Sequence, residues 1–178
     1  MVAVTFTDND LSTSALQTYT LTVGVGAGGA GKTLIFGVVQ RDTSQSITVT
    51  AFTVDGIDAT FLGIIQQNDG SNSTSLEQWG IQSDDLPDPS QVDVDLSITW
   101  STTVLRMRVG VAVTDAPVSL TPHDTGTDAE TGSASSFTLD NATFDVDTAD
   151  GGCVVAFTGA APSGTVSNAW TGPTEGFD

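Results

Sequence analysis

At 178 residues the chain is long enough to bury a core of its own, and 22 acidic residues against four basic ones give it a net charge of −18. That balance excludes the basic footprint needed to hold nucleic acid or an anionic membrane. Nineteen of the acids are Asp and three are Glu, beside 28 Thr and 19 Gly, which disfavours helix and favours pleated strands joined by polar turns.

The chain opens on the apolar run Val2-Ala3-Val4-Thr5-Phe6, which lacks the charged and apolar regions of a secretory signal. It predicts a strand over residues 2–7, then a polar stretch to residue 14. This strand has two destinations: a sheet of its own domain, or the sheet edge of a neighbouring molecule, with Val2, Val4 and Phe6 as the contact residues. Further strands are predicted over residues 17–25, 33–40, 46–54, 57–65, 75–82, 92–99 and 104–113. Leu34-Ile35-Phe36-Gly37-Val38-Val39 is continuously apolar and reads as a strand buried on both faces. Asp55-Gly56, set between two apolar runs, is a turn signal. Val92, Val94, Leu96 and Ile98 alternate with Asp93, Asp95, Ser97 and Thr99, which marks a strand with one wet face. Residues 114–134 are poor in large apolar side chains and read as a long polar loop, a connector or an interaction loop. Strands over residues 135–139, 142–146 and 153–158 then complete the sandwich or form a small second lobe within residues 135–178. The expected organisation is a main sandwich over residues 1–113, the loop, and these C-terminal strands. The expected class is all-β: an antiparallel β-sandwich, jelly-roll-like, with almost no helix.

Gly26-Ala27-Gly28-Gly29-Ala30-Gly31-Lys32-Thr33 matches the phosphate-loop pattern in full. That pattern works only when a helix follows, because the helix N-terminus faces the phosphates. Here a β-branched, strand-like run follows, so the segment reads as a glycine-rich turn joining two antiparallel strands. His123 lies in the polar loop with no nucleophile turn to accompany it, so no catalytic residue is assigned and the chain is expected not to be an enzyme. Asp8 with Asp10, Asp84 and Asp85 with Asp88, and Asp145 and Asp147 with Asp150 are dense in carboxylates, yet none fits a twelve-residue Ca2+ loop. No metal ligand and no cofactor is assigned. Cys153, the only cysteine, sits in an apolar run and reads as an inert core thiol. Among Trp79, Trp100 and Trp170, the first two are candidates for stacking on a sugar ring, Trp100 because it ends an alternating strand at an expected sheet rim.

Three segments together resemble the β-sandwich domains of bacteriophage virions, nearest in character to capsid decoration (cement) proteins. They are Lys32-Thr33-Leu34-Ile35-Phe36-Gly37-Val38-Val39, the run from Ile47 through Asp55-Gly56 to Thr60, and the strand pair through Trp79 and residues 101–113. Residues 152–157 with Asn168-Ala169-Trp170-Thr171-Gly172 look like the same layout beginning again. The resemblance implies a structural role on the virion: capsid decoration, with the major capsid protein lattice as partner and a homo-trimer as the expected assembly. A tail or head-fibre module that binds a receptor or glycan is the alternative. It carries over no catalytic residues. The expected location is the capsid surface, with no nucleic-acid and no membrane partner.

Overall fold

The computed structural model describes residues 4–43, 47–68, 73–122 and 155–157. Among these, nine strands follow in order: β1 (Val4–Ser12), β2 (Leu16–Gly24), β3 (Thr33–Asp42), β4 (Val49–Val54), β5 (Ile57–Asp58), β6 (Thr60–Asn68), β7 (Ser73–Gln82), β8 (Asp93–Val104) and β9 (Arg106–Thr114). They form two antiparallel sheets, a five-stranded one in the order β1-β9-β3-β7-β6 and a four-stranded one in the order β2-β8-β4-β5. Successive strands alternate between the sheets up to β4, and β7, β8 and β9 return between their predecessors. This is jelly-roll connectivity, and the only helical element among the described residues is the 3-10 turn Ser83–Asp85.

Alternation explains the layers. In β8, Val94, Leu96, Ile98 and Trp100 are buried, while Asp93 and Asp95 are exposed. Those inward side chains meet Phe36, Val38, Val109 and Val111 of the opposite sheet. Phe36 and Phe52 bridge the layers with ring centroids 5.2 Å apart and planes at 70°, an edge-to-face contact. Asp55 and Gly56 both take positive φ, 50° and 81°, as the β4–β5 hairpin demands of an Asp-Gly pair.

The expectation of one strand over residues 57–65 is corrected. The run leaves the four-stranded sheet after Asp58 and joins the five-stranded sheet at Thr60, with the Ala59 N–H donating to the Phe52 carbonyl at 2.9 Å in between. The glycine-rich turn is also not a hairpin, because β2 and β3 lie in different sheets.

The N-terminal strand takes the first of its two destinations. β1 pairs with β9 of its own sheet from Val4 opposite Thr114 to Ser12 opposite Met107, with a bulge between Phe6 and Asp8. Val4 is half-buried and the Phe6 backbone lies opposite Ala112; β1 is the edge strand of its sheet, so this ladder uses one of its two rows of backbone groups. Val2 lies outside the described residues.

β3 is buried on both faces, as expected, because chain from beyond β9 covers its outer side. The Val118 N–H donates to Thr33 Oγ1 at 2.8 Å, and Gln82 Nε2 donates to the Val118 carbonyl at 2.7 Å. A Cβ on Gly37 would fall 2.2 Å from the Phe157 ring, so only glycine admits that ring. The start of the expected polar loop is therefore folded back on the sheet. The rest of that loop, His123, Cys153, Trp170 and the strands expected over residues 135–139 and 142–146 lie outside the described residues.

Candidate functional site

The phosphate-loop pattern forms the end of the sandwich, and four of its backbone N–H donors are already used. The Gly29 N–H donates to the Pro89 carbonyl at 2.9 Å, the Gly31 N–H to Asp84 Oδ1 at 2.7 Å and the Lys32 N–H to Ser83 Oγ at 3.0 Å. The Thr33 N–H donates to Thr114 Oγ1 at 3.0 Å, and the Thr33 hydroxyl to Gln82 Oε1 at 2.9 Å. The Asp84 carboxylate thus takes the Gly31 N–H, one of the donors a phosphate would need. Lys32 Nζ turns back onto the carbonyls of Ala27 and Gly28 instead of facing outward. A Cβ on Gly28 would sit 1.9 Å from the Ser90 carbonyl oxygen, so the loop is pressed against the segment before β8. The space beneath it, walled by Val25, Leu34, Leu86 and Val113, holds about one water molecule. The sequence pattern was right in its letters and wrong in its geometry, because the next element is a strand and supplies no free N–H cluster.

The two stacking candidates part ways. Trp100 is 0% exposed, which removes it as a sugar platform. The expected rim is not there: β8 runs on to Val104, and Trp100 shares the inward parity of Val94, Leu96 and Ile98. Trp79, on β7, is half-buried. Its ring lies edge-to-face with Phe52 at 5.6 Å and with Phe61 at 5.2 Å, and Phe61 is 48% exposed. The Phe61–Trp79 pair thus forms an aromatic rim on the edge strand β6 and its neighbour β7.

Sequence reasoning missed Glu77. It is 1% exposed, between the sheets. Its Oε1 accepts the Val49 N–H at 2.7 Å and its Oε2 accepts the Trp79 indole N–H at 3.2 Å. The first bond ties β7 of one sheet to β4 of the other. Burial pushes the Glu77 carboxyl above its ordinary range, against the pull of these two hydrogen bonds. The signal was parity: Glu77 stands at the inward positions of β7 with Ser75, Trp79 and Ile81.

Several of the other described acids serve the backbone. Asp88 Oδ1 accepts the Ser90 hydroxyl at 2.6 Å and the Ser90 N–H at 2.9 Å, which holds its carboxyl below the usual range. Asp55 accepts the Asp95 N–H at 2.8 Å and an amide N–H of Gln91. Asp42 accepts the Leu105 N–H at 3.1 Å. Among the described residues no three His, Cys, Asp or Glu side chains gather as metal ligands. The Asp145, Asp147 and Asp150 group lies outside them.

The two outer faces of the sandwich differ in charge. The outward positions of β9, β3, β7 and β6 carry Arg41, Arg106 and Arg108 and no acid. Arg41 lies directly opposite Arg106, and Arg108 is one outward position further along β9. The outward positions of β2, β8 and β4 carry threonines with Asp93 and Asp95 and no basic residue. Three of the chain's four basic residues therefore share one corner of one face.

No protein-family model matches the chain, and no curated protein sequence and no solved structure matches it significantly. Among the described residues no helix is long and apolar enough to cross a membrane.

Proposed function

We propose that this chain is a non-enzymatic structural protein of a tailed bacteriophage particle, a capsid decoration (cement) protein that binds the major capsid protein lattice at the virion surface as a homo-trimer. One observation carries the reading: the described residues build a two-sheet body that closes its glycine-rich loop on itself, with its exposed apolar residues spread along rims and turns. Leu16, Phe61, Ile64, Val92 and Leu105 are of this kind. A shell clamp needs such a body with many modest contacts, not a pocket. Jelly rolls serve capsids and lectins alike, so the fold supports the reading without choosing it.

The test is co-sedimentation of the purified chain with capsids of the phage that encodes it, followed by heating of the decorated shells. Saturable binding and a raised rupture temperature are expected; shells that neither bind the chain nor gain heat resistance would refute the reading. The second reading, a tail or head-fibre module that binds a glycan, draws on the Phe61–Trp79 rim. It predicts glycan-array binding that Phe61→Ala abolishes.

A further inference from the structure

We propose that copies of this chain associate head to tail, with the arginine corner of one copy seated on the Asp93/Asp95 stripe of the next. The proposal rests on the charge layout alone and stands whether or not the molecule decorates a capsid.

The arginine corner is unusual in its setting. A chain of net charge −18 places Arg106 and Arg108 two residues apart on the outward face of β9, with Arg41 opposite Arg106. Arg106 and Arg108 are exposed. Anions laid against Arg106 and Arg108 would pair with them, and the spacing of the two says how such anions must be spaced. Two residues apart on one strand, they project from one face about 7 Å apart. Asp93 and Asp95 are exposed on β8 with the same two-residue spacing on one face, hence also about 7 Å apart. The Thr22 hydroxyl, donating to Asp95 Oδ1 at 2.6 Å, holds that carboxylate in place.

The partner is therefore a second copy. Two-fold pairing of the corner with itself would set arginine against arginine, so the contact must join unlike faces. Such a contact closes into a ring when the rotation permits, as a trimer would. Net repulsion between two acidic copies opposes it, but at physiological salt charges beyond about 8 Å are largely screened, whereas paired groups in contact are not.

Sedimentation velocity of the full chain at physiological salt tests this. The wild type should form a concentration-dependent oligomer. Arg106→Glu with Arg108→Glu should weaken it at least about ten-fold, and Asp93→Lys with Asp95→Lys should do the same. The chain carrying all four changes should regain the oligomer, because the pairs are restored with their signs exchanged. Thermal melting of each variant shows that it is folded. A monomeric wild type at high concentration, an oligomer indifferent to either pair of changes, or a folded charge-swapped chain that stays monomeric would overturn the proposal. A monomer that still binds capsids would sink it together with the trimer, and leave capsid decoration itself standing.

Discussion

Glu77→Gln tests the reading of the buried carboxylate most directly. In the wild type, Glu77 accepts the Val49 N–H at 2.7 Å and the Trp79 indole N–H at 3.2 Å. Gln keeps one acceptor oxygen for Val49 but turns an amide N–H2 toward the indole donor. That leaves a buried donor unsatisfied, at a cost of about 1–3 kcal/mol. Against this, the wild type holds a carboxylate whose folded-state pKa burial raises above its ordinary value of 4.5. The folded state then binds the proton more tightly than the unfolded state. Its contribution is fully present below that value and is lost as pH rises through the folded pKa, by at most about 1.4 kcal/mol per pH unit. Gln does not titrate. The deficit of the variant should therefore be largest at the acid end and shrink, or reverse, toward neutrality. Urea unfolding of both proteins from about pH 5 to 8 measures it, above the isoelectric point near 4.1 where a chain without net charge precipitates. The remaining acids titrate alike in both proteins and cancel in the difference. A deficit independent of pH, or one that grows as pH rises, would refute the argument.

Three further outcomes follow from the geometry. Trp100→Ala empties a fully buried site and should lower stability by about 3–5 kcal/mol in urea unfolding; a wild-type midpoint would mean the indole is not in the core. Deleting residues 1–12 strips the edge strand from β9 and should lower the Tm by at least about 10 °C, at roughly 2–4 °C per kcal/mol; a truncated chain that melts like the full one would return β1 to the role of a free arm. ATP with Mg2+ at about 1 mM should leave the Tm unchanged, because a Kd one hundred times lower would add about 2.7 kcal/mol of stability; a clear upward shift would reopen the phosphate-loop reading.

Local chemistry was legible in the residues themselves. The alternation of Val94, Leu96 and Ile98 with Asp93 and Asp95 marked a half-buried strand, the Asp55-Gly56 pair marked a hairpin, and the run from Leu34 to Val39 marked a strand covered on both faces. Each depends on side-chain period or on φ, which neighbouring residues determine. Sheet membership was not legible, because period 2 says which way a side chain points relative to its own strand and nothing about which strand lies beside it. Pairing put β2 and β3 in different sheets, split residues 57–68 between both, and carried β8 far enough to bury Trp100. Pairing also brought Arg41, far away in sequence, beside Arg106 and Arg108 at one corner. It closed the glycine-rich loop on Asp84 and drew Glu77 between the sheets, since a buried N–H must find an acceptor and only the folded chain determines which one is within reach.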